Sequence, residues 1–359
     1  MFITIIAALF VLGVLIFIHE LGHFLAAKAV GIRVETFSLG FPPRAFGKKI
    51  GDTDYCVSWI PVGGYVKMTG MIDESMDTKI EGKPYEFMSK KTWQKLLTIS
   101  AGVIMNFLLA IFIFAAGTFL MGLPEFSPQV GKVSPDLPAA QAGMQVGDLI
   151  LSIDGTAVSR WEDLTKIISS QPEKKLLFKF RRGDAILEKE ITPIRSKLSD
   201  GREGGIIGIG IPQPVMRSAG FFESIANGFR LFGQYSALMG RSIKRMISGE
   251  ESFRQSIGGP IAIIKAAGDS ARSGFGTLML LTAILSMNLG YINIFPFPAL
   301  DGGHFFIILA EWIVRRPLPT RAKLIIQQVG MAILLMLMVF IIYNDFVRFS
   351  IFQKIINWF

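Results

Sequence analysis

The chain has 359 residues, 51% of them hydrophobic and 18% charged, with a mean hydropathy of +0.47, a composition that points to a membrane protein. Its net charge of +9 needs no nucleic acid to explain it. A single cysteine, Cys56, excludes an intrachain disulfide and a cysteine-based metal cluster.

Four stretches carry no charge: residues 1–18 (extended by 24–27), 98–123, 275–300 and 324–343. Each is near or above the roughly 20 residues a helix needs to cross the hydrocarbon core. The first lacks a basic leading region and a small-x-small cleavage site, and its apolar run continues beyond residue 23, so it reads as a retained helix. Late in this stretch stands His19-Glu20-Leu21-Gly22-His23. Positions four apart share a helix face, so His19 and His23 can hold one metal with Glu20 beside it. Ionisable groups at membrane depth are costly and usually functional.

The segment between the first two spans carries Arg33, Arg44, Lys48, Lys49, Lys67, Lys79, Lys83, Lys90, Lys91 and Lys95, and the third-to-fourth connection carries Arg315, Arg316, Arg321 and Lys323. The positive-inside rule puts both on the cytoplasmic side, leaving the termini and the long middle region outside.

The third apolar stretch ends in Asn293-Ile-Phe-Pro-Phe-Pro-Ala-Leu-Asp301-Gly-Gly. Pro296 and Pro298 remove backbone donors and break the helix. Irregular backbone at this depth is tolerated only within protein or around a water-filled cavity. Asp301 is readable as a helix cap, but that leaves the two histidines without a third ligand. Two His plus a carboxylate is a known catalytic zinc set.

Four strings together resemble the site-2 protease family of M50-type intramembrane zinc metalloproteases, in its bacterial RseP/RasP-type branch with a single PDZ domain. They are residues 19–23, Gly102-Val-Ile-Met-Asn106, Val62-Gly-Gly-Tyr-Val-Lys-Met-Thr-Gly70, and residues 293–303. The resemblance implies Zn2+ held by His19, His23 and Asp301, with Glu20 as catalytic base. It implies cleavage within single-span membrane proteins, such as anti-sigma factors or remnant signal peptides, often after a site-1 protease has cut them. It further implies the bacterial inner membrane, with the N-terminus and PDZ domain extracytoplasmic and the active site near the cytoplasmic side.

The family assigns substrate unwinding to a membrane-associated β-loop, matched by Gly63, Gly64, Tyr65 and Val66, and substrate handling to Asn288, Asn293, Pro296 and Pro298. On their own, the asparagines could equally satisfy freed backbone groups, and Gly102 with Asn106 reads equally as a helix-packing pair. Residues 131–155 resemble a PDZ domain of the bacterial protease type, with a strand at 148–153, a turn at Asp154-Gly155, a helix at 161–169 and a strand pair around 176–190. Ile207, Gly208, Ile209 and Gly210 are the expected peptide-binding edge. Apolar residues Phe221, Phe222, Ile225, Phe229, Phe232 and Tyr235, followed by Arg241, Lys244 and Arg245, read as an amphipathic helix on the outer membrane surface or packed under the PDZ module. Ser256-Ile-Gly-Gly-Pro-Ile261 has no derivable role. His304 is left outside the ligand set, because a fourth protein ligand would close the position water needs.

The expected fold is a mostly α polytopic membrane protein with four transmembrane helices, an extracytoplasmic α+β PDZ domain and a membrane-associated β-hairpin. Its expected segments are 1–30 (first helix), 31–95 (cytoplasmic loop with the β-loop 62–70), 96–123 (second helix), 127–213 (PDZ), 219–273 (amphipathic region), 275–312 (Pro-broken third helix) and 322–346 (fourth helix). A metal transporter or a catalytically silent scaffold could keep the same spans. A transporter typically shows internal repeats, and none is visible. A scaffold has no need of Glu20 or the ligands, and all are present.

Overall fold

A computed structural model describes residues 1–71, 80–197, 203–250 and 258–348; Lys79, Ser256 and Ile257 lie outside them. Two compact units emerge, one formed by Met1–Gly117 with Phe222–Phe359 and the other by Thr118–Phe221.

The first unit is helical because apolar segments in lipid must satisfy their backbone groups internally. Four of its helices are long and apolar enough to cross a membrane: α1 (Phe2–Ala29), α2 (Thr92–Met121), α7 (Phe275–Ile294) and α9 (Thr320–Arg348). The buried residues of α1 include Ala7, Val11, Leu15, His19 and His23, a stripe at spacing four. The histidines therefore continue the face that packs against α6 (Pro260–Ser273) and α7 through Ala267 and Leu278. The third apolar stretch is two helices rather than one, because α7 stops at Ile294 and α8 (Asp301–Val314) restarts at the carboxylate. Between them lie Pro296 and Pro298, with Ala299 held at φ +75°.

The connection from α1 to α2 holds one large hairpin, β1 (Val34–Ile50) and β2 (Thr53–Met68), turned at Gly51–Asp52. It is larger than the 62–70 loop marked by sequence. Residues 36–39 pair on one side with 54–57 and on the other with 64–67, so the pleat folds back on itself. The 64–67 arm is thus an edge, pairing with no second strand among the described residues. Phe46, Ile50 and Trp59 stand exposed on the hairpin. Helix α5 (Phe221–Ile247) packs its aromatic face on the spans, with Phe232 against Phe107 and Tyr235 stacked on Phe114. Asp345 of α9 is fully buried and accepts the backbone N–H groups of Gly259, Ile261 and Ala262 at 3.0–3.1 Å. It caps α6 from another helix, which gives the Gly-Gly-Pro string its structural role.

The second unit holds the short strand pairs β3 (Leu123–Glu125) with β12 (Val215–Arg217), β4 (Lys132–Val133) with β11 (Ile209–Gly210) and β9 (Ile194–Lys197) with β10 (Glu203–Ile206), and a short helix α3 (Pro138–Gln141). It also holds a four-stranded sheet of order β6 (Thr156–Ala157), β5 (Leu149–Ile153), β7 (Leu176–Arg182) and β8 (Ala185–Ile191). Helix α4 (Trp161–Ser170) covers it, and Ile150, Leu164, Phe178 and Phe180 fill the core. Asp148 is 1% exposed and takes a two-pronged bond from Arg182 at 2.8 Å. Burial alone would raise this carboxyl, but the Arg182 guanidinium and the Gln145 N–H hold it below its ordinary range. A depressed carboxyl contributes stability above its unfolded pKa of about 3.9, and that stability is lost as pH falls through the folded value. Arg182→Met is therefore expected to speed amide exchange across β5 and β7 at pH 7, whereas the wild-type strands loosen only below about pH 4. Equal protection in both chains at pH 7 would contradict this.

Candidate metal centre

The site is assembled from α1, α2, the hairpin edge and the start of α8. Asp301 Oδ2 lies 3.1 Å from His19 Nε2 and 3.3 Å from His23 Nε2. The two Nε2 atoms are 3.2 Å apart, and the rings meet edge to face at 83°. His19 and His23 are 8% and 6% exposed. Three Lewis-basic atoms therefore face one another in a buried space, and Asp301 Oδ2 has no hydrogen-bond partner there. An arrangement of lone pairs with nothing between them is electrostatically unfavourable, and a cation resolves it. Ligands at about 2.05 Å around a tetrahedral ion sit about 3.3 Å from one another, so the donor set fits a divalent metal such as zinc.

Each donor is oriented from behind. His23 Nδ1 donates to the Thr98 carbonyl at 2.9 Å, which leaves its Nε2 lone pair pointing at the cluster. The Asn106 amide meets His19 Nδ1 at 3.1 Å, and a half-turn of that amide presents its oxygen to an Nδ1–H. Ser286 of α7 donates to the backbone carbonyl of Asn106 at 2.7 Å. Gly102, one turn before Asn106, must be glycine: a methyl there would press into both imidazoles. On the far side, a methyl on Gly302 or Gly303 would collide with the carbonyls of Phe295 and Phe297, so the two glycines let α8 start against the broken end of α7. The sequence leaves Gly102 and Asn106 open between a family string and a helix-packing pair, and it gives no sign of Thr98. The four-residue spacing of Gly102 and Asn106, which puts both on one face of α2, was the available signal.

A cavity of about 130 Å³ opens at the cluster, lined by the three donors, Glu20, the 64–66 edge, Asn293 and His304. This is several-fold more than the ~10–15 Å³ that one water requires, so it has room for several waters. Gly64 runs close to the Glu20 side chain. Asn293 Nδ2 lies 3.5 Å from His19 Nε2. The other expected substrate residues fall elsewhere. Asn288 lines a separate cleft of about 450 Å³ with Tyr235, Met239 and Met287, Pro298 packs on Gly330 of α9, and neither Gly63 nor Pro296 lines the metal cavity. His304 lines the cavity but is outside the donor cluster.

In the second unit, β11 (Ile209–Gly210) pairs with β4 (Lys132–Val133), and Ile207, Gly208, Ile209 and Gly210 form one wall of a groove of about 1050 Å³. Trp161, Thr165 and Ser169 of α4 form the facing wall.

Apolar spans enclosing a His–His–Asp donor set beside a glutamate define the class as a membrane-embedded protein with a metallohydrolase-type centre. The chain belongs to Peptidase family M50, whose sequence pattern matches residues 7–337. It is 34% identical over 343 residues to a Clostridium perfringens protein named as a zinc metalloprotease, covering 96% of this chain and 98% of that one. Zinc metalloprotease RasP of Bacillus licheniformis is 28% identical, covering 96% and 99% respectively. The solved PDZ domain of the SdrC-like protein from Listeria monocytogenes is 26% identical, with a TM-score of 0.19, and covers 25% of this chain and 86% of that one.

Asn106→Ala is expected to weaken metal binding about 10–100-fold, the usual cost of removing a group that orients a ligating histidine. Competition with a chromogenic chelator on the purified chain measures it. Unchanged affinity would mean that Asn106 serves packing alone.

Proposed function

We propose that this chain is an intramembrane zinc metallopeptidase that hydrolyses peptide bonds within the transmembrane segments of single-span proteins. The observation that carries the reading is the convergence of His19, His23 and Asp301 beside Glu20, in a cavity with room for water, on helices apolar enough for a bilayer.

His19, His23 and Asp301 hold the ion, which supplies Lewis acidity toward the scissile carbonyl and the attacking water. Glu20 takes the proton from that water and delivers it to the departing amine. A substrate helix hides its carbonyls in internal bonds and must be unwound. The 64–67 arm, beside Glu20, pairs with one strand only among the described residues, and strand addition along it would hold an extended segment against the cavity through Gly63, Gly64, Tyr65 and Val66. Asn293 would contact that segment at the ion, and Asn288 further along. Pro296 and Pro298 keep the backbone between them irregular, so that Asp301 can reach the histidines.

The second unit reads as a PDZ domain. It would take the free tail of a substrate already cut by a site-1 protease into the groove at Ile207, Gly208, Ile209 and Gly210, and regulators such as anti-sigma factors and remnant signal peptides suit this sequence of cuts. The cation-rich connections favour a cytoplasmic placement of the hairpin and of the α8–α9 link in a bacterial inner membrane, with the second unit outside.

The test is cleavage of a single-span substrate by the full chain in liposomes. Glu20→Gln should lower the rate by about 10²–10⁴, the contribution of a general base, while one zinc per chain remains bound. Wild-type rates in this variant would remove Glu20 from the chemistry, and loss of zinc would make it a ligand instead.

A further inference from the structure

A second polar concavity lies at the other end of α8 from Asp301. A cleft of about 570 Å³ is lined by Thr92 and Lys95 of α2, Glu311 and Trp312 of α8, and Arg315 and Arg316 just beyond it. Three cations from two distant stretches of chain thus meet in one hollow. The single carboxylate there is already committed. Glu311 pairs with Lys323 at 2.7 Å, both side chains being at most 13% exposed, and accepts the Leu318 N–H at 2.6 Å. Among the described residues, Lys95, Arg315 and Arg316 form no ion pair. The N-terminus of α2 adds positive potential beside Thr92.

The flank of this hollow is apolar. Trp312, Ile313 and Val314 are 62–66% exposed, and Trp93 is 58% exposed. A soluble anion would gain nothing from that surface. α2 and α9 are both candidate spans and both begin at this end, which puts the hollow at the boundary between headgroups and acyl chains.

We infer that the hollow binds the phosphate headgroup of an anionic glycerophospholipid, with Lys95, Arg315 and Arg316 around the phosphate and the acyl chains along Trp312 and Ile313. An ordinary belt of snorkelling cations spreads along helix ends. Here the cations converge on a concavity whose own acid is neutralised, and charge complementarity selects an anion. A headgroup in it ties the start of α2 to the end of α8. Those two helices also carry the groups that orient His19 and His23 and the ligand Asp301, so membrane composition would act on the rigidity of the metal site. The binding itself is independent of any peptidase activity.

Native mass spectrometry of the full chain tests it, with phosphatidylglycerol or phosphatidylcholine of matched chains offered in detergent. One phosphatidylglycerol should be retained at least tenfold better than phosphatidylcholine. R315Q/R316Q should weaken that retention about 30-fold, the loss expected for two cations at a membrane surface. K48Q/K49Q, an equal charge change on the hairpin, should leave it unaltered. In the unmutated frame, phosphatidylglycerol brominated on its acyl chains should quench tryptophan fluorescence, and W312F should abolish that component. Equal retention of the two lipids, wild-type retention by R315Q/R316Q, full displacement by millimolar inorganic phosphate, or quenching unchanged in W312F would each overturn the inference.

Discussion

Two imidazole nitrogens and a carboxylate oxygen, buried 3.1–3.3 Å apart among apolar helices, are the constraint on which the rest of the helical unit depends. Bare, such a cluster leaves a buried charge uncompensated; around a cation it is strongly favourable. Holding it requires that each donor be unable to swing away. Thr98 and Asn106 fix the two imidazoles from α2, and Asp301 is fixed because α8 cannot begin anywhere else once Pro296 and Pro298 have ended α7. The small residues follow from the same requirement: Gly102 makes room for the rings, and Gly302 with Gly303 makes room for the returning chain.

The same geometry reconciles water chemistry with an apolar surround. The cavity is walled on one side by helices and on another by the edge of a hairpin, so irregular backbone at this depth is enclosed by protein. A strand edge exposed in water invites aggregation. Placed beside Glu20, it is the surface proposed above for an extended peptide. Asp345 shows the same economy elsewhere in the unit: the end of α6, which would otherwise present unpaired donors, is closed by a carboxylate from a different span.

Much of this was legible in the sequence because charges in apolar runs are rare and costly. His19, Glu20, His23 and Asp301 stood out for that reason, and the Pro-rich break before Asp301 marked where a helix must end. The four spans were visible from length and composition. The contacts of Asn106 and Thr98 were not, because an amide and a backbone carbonyl inside a helix look alike whether they serve packing or orient a ligand. The full extent of the hairpin was hidden too: residues 36–39 pair with two separate arms of β2, a fold-back that alternation along one strand cannot reveal. Asp345 escaped notice because it lies just past the apolar stretch, where an acid ordinarily meets water.

X-ray absorption at the zinc edge of the full, zinc-loaded chain tests the central claim most directly. The expected spectrum shows one ion with two imidazoles and oxygen donors at about 2.0–2.1 Å, and an oxygen shell altered by Asp301→Ala while both imidazoles remain. A third imidazole, which only His304 could supply, a sulfur from Cys56, or a spectrum indifferent to Asp301→Ala would contradict it.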